Sequence, residues 1–264
     1  SLSGLKTDMH ILFITDNFPP EGNAPATRTF EHTREWVDKG HKVTIITCAP
    51  NFPEGKIFEG YKNKWLFKEK IKGINVWRVK TYITANKGLI KRTIDFISFM
   101  LSSLFFGLFV RKVDVVVGTS PQFFTVISAW ALAKLKRSPF VFELRDIWPA
   151  SITAVGAMKG NWIIKVFEKL ELFLYHQADL IISVTHSFKK DLVNRGVLGD
   201  KIEVVLNGVD LSKYKPLNGK DGKLSEKYGL QGKFVAGYIG TLGLAHTLDI
   251  FIEAAEFLKR EDDI

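Results

Sequence analysis

The amino-acid sequence predicts an α/β protein with a doubly wound, mostly parallel, Rossmann-like sheet. Three observations indicate this fold class. Short apolar runs of the kind that form buried parallel strands recur along the chain, and helical stretches separate most of them. The chain also has 264 residues, of which 46% are hydrophobic and 25% charged, so it can bury a large core. Its single cysteine, Cys48, excludes an intramolecular disulfide and a multi-thiolate zinc site.

The strands are predicted from apolar runs that end in polar or turn-forming residues. The first run, residues 10–15, is followed by Asp-Asn-Phe-Pro-Pro, which is typical of a buried parallel strand entering a loop. Seven further runs are predicted as strands at residues 42–47, 74–79, 114–119, 139–144, 179–184, 201–206 and 234–239.

The helices are predicted between these strands. The first covers residues 27–39 and stops at Gly40, a residue type that commonly follows the last turn of a helix. The other predicted helices are residues 89–112, 122–136, 161–177, 187–195 and 247–259.

The same pattern predicts the domain organisation. Residues 1–8 are interpreted as a disordered leader or tag, and residues 9–212 as the first domain. Residues 213–232 are polar and rich in Gly and Lys, which is typical of a linker. Residues 233–264 supply one βα unit, which cannot bury a sheet alone, so we expect a second domain that is truncated after this unit.

In doubly wound sheets, ligands bind beyond the carboxyl ends of the strands. The loop after the first strand offers Gly22, Asn23 and Ala24 at a helix start, where backbone N–H groups can receive an anion. Arg28, one turn into the helix, could pair with a phosphate. The alternative is an ordinary loop with a surface arginine. No G-x-G-x-x-G fingerprint occurs, which counts against a dinucleotide-dependent dehydrogenase.

The segment ELRDIWP, residues 143–149, places an ionisable cluster directly after an apolar strand. In this cluster Asp146 could orient a hydroxyl group, and Arg145 could pair with Glu143 or with a phosphate of an acceptor. The alternative is a structural Glu143–Arg145 pair beside a helix-capping Asp146. Two further residues are candidates for binding the acceptor: Trp148 in the same segment, and Ser120 after the preceding strand.

Two further strand ends are candidates for the donor side. Asn207 and Gly208 follow the last strand of the first domain, although Asn-Gly is also a plain turn signal. Gly240 and Thr241 lie in a glycine-rich turn between a predicted strand and helix, which could cradle a diphosphate. The six histidines show no ligand spacing and no metal motif occurs, so we expect no metal.

The net charge of +9 comes from one segment, residues 56–92, which we term the basic strip. It holds eleven Lys/Arg and two acidic residues. Residues 96–110, which follow, are apolar on every face but too short to span a bilayer. Lysines beside such a helix favour an anionic membrane surface. The alternatives are a solvated face with a buried helix, or a nucleic-acid patch. The predicted membrane contacts are Lys62, Lys64, Trp65, Lys68, Lys70 and Lys72.

Six motifs occur in the order in which a known family carries them. They are FITDNFPPEGNAPATR, GTSPQ, ELRDIWP, ADLIISVTHSFKKDL, NGVD and YIGTLGLAHTLD. With them, residues 9–258 resemble the N-terminal half, plus the first βα unit of the C-terminal half, of a retaining "group 1" glycosyltransferase with the GT-B fold. The chain is most similar to the subgroup that includes fucosamine-type transferases of O-antigen and capsule biosynthesis.

The resemblance implies a bacterial enzyme that moves a sugar, an N-acetylated amino sugar, from a nucleotide donor such as a UDP-sugar to a lipid-diphosphate-linked acceptor. It implies retained anomeric configuration, no metal and no other cofactor. The N-terminal half would hold the acceptor and the C-terminal half the donor, with Asp146 near the reacting centre and Gly240 and Thr241 at the donor diphosphate. The expected place is cytoplasmic, peripheral on the inner face of the cell membrane, with no nucleic-acid partner.

The chain departs from the broader family in two places. The Arg and Lys that the family carries after its corresponding strand are replaced here by Thr241 and a neutral Leu-Ala-His. An E-x7-E spacing occurs at Glu253 and Glu261 on the first helix of the second domain, where we interpret it as chance. The resemblance places the family's own motif beyond residue 264, so the chain itself is expected to be inactive. The rival hypotheses are a non-catalytic membrane-surface binding module and a nucleic-acid-binding protein.

Overall fold

The computed structural model describes residues 8–84, 89–120, 122–147, 162–211, 214–215, 219, 221–240 and 247–260. The chain divides into two units. The first unit contains residues 1–152 and 158–207, and the second contains residues 153–157 and 208–264. Most of the predicted leader, residues 1–7, lies outside the described residues.

The first unit is built on one eight-stranded sheet. Its strands are β1 (His10–Ile14), β2 (Lys42–Cys48), β3 (Leu66–Ile71), β4 (Ile74–Val79), β5 (Val115–Thr119), β6 (Phe140–Leu144), β7 (Leu180–Ser183) and β8 (Ile202–Val204). They lie in the order β3-β4-β2-β1-β5-β6-β7-β8. Every neighbouring pair is parallel except β3 and β4. The predicted fold class is therefore confirmed.

Helices cover both faces of this sheet. They are α1 (Ala24–Asp38), α2 (Leu89–Gly107), α3 (Phe123–Lys136), α4 (Trp162–Gln177) and α5 (His186–Asn194). Alternate residues of β1 point to opposite faces, as strand geometry requires. Leu12 and Ile14 join a core cluster with residues of α2 to α5. Ile11 and Phe13 join a second cluster, against which Trp36 of α1 packs.

Strand β3 has no counterpart among the predicted strands. It pairs antiparallel with β4 at the edge of the sheet, and Phe67, Lys68 and Lys70 are exposed. An edge strand with so little buried surface lacks the apolar run that marks a buried strand. The connection is a tight hairpin in which Lys72 and Gly73 have φ of 45° and 83°, as in the two-residue turns that match strand twist.

The second unit contains α6 (Gly222–Tyr228) and α7 (Asp249–Phe257). Helix α6 lies in the predicted linker, where Asp221 caps its start by accepting a hydrogen bond from the N–H of Leu224 at 2.8 Å. The strand predicted at residues 234–239 is wrong, because the structure has no regular secondary structure there. Phe234 is 69% exposed and Ile239 fully exposed, and among the described residues no strand lies beside this run to form a sheet with it.

Candidate functional site

The carboxyl ends of β1, β5 and β6 lie side by side. Strands β1 and β5 are neighbours in the sheet, yet the chain continues from β1 to β2 on one side and from β5 to β6 on the other. Ligands bind at such a switch point in doubly wound sheets. We term the polar side chains gathered here the carboxyl-edge site: Asp16, Arg28, His32, Ser120, Glu143, Arg145 and Asp146.

Arg28 forms the centre of this site and is buried rather than a surface residue. Its Nε lies 3.1 Å from Oε1 of Glu143 at the end of β6. Its Nη1 donates to the side chain of Asn207, and its Nη2 donates to the carbonyl of Val205 at 3.4 Å. All three guanidinium nitrogens are thus hydrogen-bonded within the first unit. Arg28 connects α1 to β6 and to the exit of β8, while its pairing with a ligand phosphate stays a prediction.

Glu143 is almost fully buried, at 3% exposure. The structure gives it an ion pair with Arg28, not the Glu143–Arg145 pair that was the alternative. His32 lies 3.8 Å from the same carboxylate oxygen, and burial together with Arg28 lowers the pKa of its imidazole. The imidazole is therefore neutral near pH 7, and Arg28 supplies the positive charge that compensates Glu143.

Two charged groups of the site have a buried atom without a hydrogen-bond partner. They are Oε2 of Glu143 and Nη1 of Arg145. Burial lowers the pKa of Arg145, while attraction to Glu143 and Asp16 acts in the opposite direction. Burial also raises the pKa of Asp16, which follows β1. The site is consequently a desolvated, mixed-charge cluster, which is the environment in which protein groups acquire unusual reactivity.

Ser120 fixes the loop that carries Asp146. Its Oγ accepts hydrogen bonds from the N–H of Arg145 at 2.9 Å and of Asp146 at 3.3 Å, and it donates to the carbonyl of Asp146 at 3.4 Å. These contacts join the loops after β5 and β6. They place the partly buried Asp146 beside the carboxyl end of a central strand. Trp148 lies outside the described residues.

The first loop starts its helix earlier than predicted, at Ala24. Asn23 is the N-cap: its Oδ1 accepts from the N–H of Ala26 at 3.0 Å, and its Nδ2 donates to Oδ1 of Asn17 at 2.6 Å. One N–H group that could have received an anion is thereby occupied. Gly22 and Ala24 remain exposed beside it.

Glu21 is a buried carboxylate in this loop that the sequence analysis missed. Its Oε1 accepts from the N–H groups of Asn51 and Phe52 at 2.8 and 2.9 Å, and its Oε2 from that of Phe18 at 3.3 Å. Burial raises its pKa. Glu21 joins the loops after β1 and β2. Its partners after β2 are about thirty residues away in the sequence, so no local sequence pattern predicts the contact.

The predicted donor residues are divided between the two units. Asn207 ends the first unit, where it contacts Arg28, whereas Gly208 and Gly240 belong to the second. Thr241 lies outside the described residues. Within the described part of the chain, no group of three or more His, Cys, Asp and Glu side chains could hold a metal ion.

Asp95 on α2 has a pKa of about 7, raised first by burial and then by Asp16. Because this pKa exceeds that of an unfolded chain, protonation stabilises the fold, and the contribution is lost as the pH rises from about 4 through 7. We expect Asp95→Asn to gain stability over the parent, by roughly 1–2 kcal/mol more at pH 8 than at pH 5, allowing for solvent screening. Urea unfolding at both pH values measures this.

The exposed Asp38 at the end of α1 provides the matched control. Asp38→Asn removes one carboxylate from the exposed surface, so it shows what the loss of a single negative charge does to stability under the same conditions. An identical pH profile for Asp95→Asn and the parent would show that the carboxyl of Asp95 is not protonated in the folded state.

Among the described Lys and Arg residues of the basic strip, Arg78 is the one with a buried side chain. Its Nε lies 2.6 Å from Oε1 of Glu69 while its Nη1 donates to the carbonyl of Cys48. The five lysines predicted to contact a membrane are all exposed, and Trp65 is 68% exposed. Lys68 lies over the ring of Trp77, 3.9 Å from its centroid.

Helix α2 is apolar on its outer face as well as on its inner face. Phe99 and Ser103 are buried against α3, where Ser103 is 3.0 Å from Ser128. The opposite face carries an apolar stripe at helical spacing, exposed by 36% to 57%: Ile94, Ile97, Leu101 and Phe105. The alternative of a fully buried helix is therefore wrong. No helix among the described residues has the length and apolar composition that crossing a bilayer requires.

The fold is that of an α/β protein with a doubly wound, mostly parallel sheet, and the carboxyl-edge site lies at the ends of its central strands. Residues 26–213 match the family model Glycosyltransferase Family 4, and the chain belongs to this family. The Escherichia coli (strain K12) protein WcaI, named as a colanic acid biosynthesis glycosyl transferase, is 26% identical over 261 residues. The match covers 96% of this chain and 64% of WcaI, so the chain spans less than two thirds of that relative.

Solved structures of HepE from Anabaena share the fold. The crystal structure of HepE in complex with UDP and glucose matches with a TM-score of 0.61 at 16% identity, covering 94% of this chain and 57% of HepE. The complex with UDP-glucose matches with a TM-score of 0.58 at 15% identity and the same coverage.

Proposed function

We propose that the protein to which this chain belongs transfers a sugar from a nucleotide sugar, such as a UDP-linked N-acetylated amino sugar, to a lipid-diphosphate-linked saccharide in surface polysaccharide synthesis. The observation that carries the proposal is the carboxyl-edge site in a chain of Glycosyltransferase Family 4. The name of WcaI supports a role in polysaccharide synthesis. The UDP and UDP-glucose in the HepE structures support a UDP-linked sugar as the donor.

In the proposed reaction, the first unit holds the acceptor. Asp146 accepts a hydrogen bond from the attacking hydroxyl, whose oxygen forms the new bond to the anomeric carbon while the bond from that carbon to the diphosphate breaks. The proton of the hydroxyl passes to the diphosphate that leaves. The configuration at this carbon is retained. Ser120 and Arg28 act as positioning residues, since one fixes the backbone at Asp146 and the other fixes Glu143. Such positioning supplies a large part of enzymatic rate enhancement.

The acceptor's lipid requires that the enzyme work at a membrane surface. The apolar stripe of α2 and the lysines of the basic strip are suited to this place, because an apolar helix face enters the lipid boundary while lysines attract anionic headgroups. We infer peripheral attachment to the inner face of the cell membrane. A non-catalytic membrane-binding module would carry the same surface, so catalysis is tested separately.

Neutralising the five lysines at 62, 64, 68, 70 and 72 is expected to weaken binding to anionic vesicles. Each lysine near an anionic surface contributes about 1 kcal/mol, so five could lower partitioning by two to three orders of magnitude or more if all face the lipid. Co-sedimentation with vesicles of phosphatidylserine and phosphatidylcholine measures the effect.

The control variant replaces five exposed lysines outside the basic strip: Lys39, Lys134, Lys165, Lys169 and Lys190. It has the same net charge, so a difference between the two variants reports position and not total charge. Equal loss in both would reject the basic strip as a membrane surface. A third variant, Leu101→Gln with Phe105→Gln, should lose the binding that persists at high salt.

A donor screen on the full-length protein tests the proposed function. Purified protein is incubated with a lipid-diphosphate-linked saccharide and a panel of nucleotide sugars, and the products are analysed by mass. We expect one donor to extend the acceptor by one sugar residue. Membrane binding without transfer from any donor would favour the non-catalytic module.

A further inference from the structure

We propose that Glu143 and Arg145 together bind one hydroxyl group of the acceptor saccharide, with Oε2 of Glu143 as hydrogen-bond acceptor and Nη1 of Arg145 as donor. The inference rests on the proposed function and adds to it a pair of residues that determine which acceptor is used. It also changes the expectation for Arg145, which the sequence analysis connected with a phosphate.

The first argument is hydrogen-bond satisfaction. In the described part of the chain, five buried side-chain atoms lack a partner, on Thr29, Thr81, Trp130, Glu143 and Arg145. Only Glu143 and Arg145 are charged groups, and both belong to the carboxyl-edge site. A buried charged atom without a partner is costly and rarely persists in a native protein unless a ligand or water completes it.

The second argument is geometry. Glu143 is the penultimate residue of β6 and Arg145 is the first residue after the strand, so both side chains begin at the carboxyl end of one strand. Arg28 and His32 from α1 lie 3.1 and 3.8 Å from the carboxylate of Glu143, and Arg145 is attracted electrostatically by the same carboxylate. The unpartnered acceptor and the unpartnered donor therefore belong to one cluster, at the edge where the sheet topology predicts a ligand.

The third argument is charge, which decides the chemistry of the ligand. Arg28 is compensated by Glu143 in an ion pair of 3.1 Å, and Arg145 is attracted by Glu143 and Asp16. The two cations of the site stand beside three carboxyl groups, those of Asp16, Glu143 and Asp146, so the cluster has no positive charge in excess for a diphosphate. One free acceptor and one free donor instead match a neutral hydroxyl group, which donates once and accepts at its oxygen.

Access to the pair depends on Arg145. Glu143 is held by Arg28 and is 3% exposed, so it cannot turn outward. Arg145 is only partly buried, and its backbone is fixed by Ser120 while its side chain is not anchored at Nη1. Entry of a hydroxyl between the two groups therefore requires movement of the Arg145 side chain and not of Glu143.

A cycle that combines an enzyme variant with modified acceptors tests the pairing. The full-length protein and Arg145→Met are assayed with a series of acceptors, each lacking one hydroxyl of the terminal sugar. For one deoxy acceptor, kcat/KM of the parent should fall about 10- to 100-fold, the size for a hydrogen bond to a charged group. Arg145→Met should lose severalfold less on the same change, because in this variant the missing hydroxyl gives up only its hydrogen bond to Glu143.

The control is Arg137→Met, which replaces an exposed arginine at the end of α3. It should give the parent profile with every acceptor. If every deoxy acceptor lowers kcat/KM by the same factor in the parent and in Arg145→Met, the proposal is wrong, and water alone completes the pair. Absence of transfer to any saccharide would instead reject the proposed function, so the two failures are distinguishable.

Discussion

Replacing Asp146 by asparagine in the full-length protein is expected to lower turnover by about 100-fold or more. The carboxylate follows the central strand β6, and Ser120 fixes its backbone N–H at 3.3 Å. Asparagine has the same shape, but it cannot act as a charged acceptor for the attacking hydroxyl. Steady-state kinetics with the donor found in the screen measure the effect, and circular dichroism should show an unchanged fold.

Asp38→Asn is the matched control, since Asp38 is an exposed carboxylate at the end of α1. Its turnover should equal that of the parent. An Asp146→Asn enzyme that works within threefold of the parent would remove Asp146 from the chemistry and leave it a structural residue of the loop after β6.

Arg28→Met is expected to destabilise the protein by about 3–5 kcal/mol. The change leaves the buried carboxylate of Glu143 without its ion-pair partner, and it also removes the hydrogen bonds to Asn207 and Val205. Urea unfolding followed by circular dichroism measures the loss.

Two comparison variants separate the buried charge from other effects. Arg34→Met, on the same helix, breaks an exposed pair with Glu35 and should cost under about 1 kcal/mol. The double variant Arg28→Met with Glu143→Met should be more stable than Arg28→Met alone, because no uncompensated charge remains. If Arg28→Met and Arg34→Met lose the same free energy, the buried pair has no special role in stability.

The strands that can be predicted from the sequence are those whose burial is evident from a continuous run of apolar residues. The apolar runs at β1, β2, β5 and β6 are buried on both faces, so each reads as continuous hydrophobic sequence. Strand β3 and helix α6 were missed because both are exposed, and their formation depends on a hairpin turn and a capping aspartate instead. The strand predicted at residues 234–239 is wrong because an apolar run forms a strand only where a neighbouring strand pairs with its backbone.

The structure brings candidate side chains together at the strand ends, but it pairs them differently from the sequence-based expectation. Sequence proximity suggested Arg145 as the partner of Glu143, whereas the ion pair is made by Arg28, 115 positions earlier. In the sequence Glu21 is likewise one of several polar loop residues, whereas in the structure its carboxylate accepts hydrogen bonds from three backbone N–H groups. Such long-range contacts are properties of the folded chain and leave no signal in a local window.

The three contacts of Arg28 can form only after distant parts of the chain have been synthesised. Glu143 lies 115 residues downstream of Arg28 and Asn207 lies 179 residues downstream. At a ribosomal rate of about 5–20 residues per second, roughly 10–35 seconds pass between the synthesis of Arg28 and that of its last partner. Until then helix α1 must keep this arginine hydrated and its core face partly open. The nascent chain is consequently most exposed to proteases and to aggregation in the interval before residue 207 leaves the ribosome.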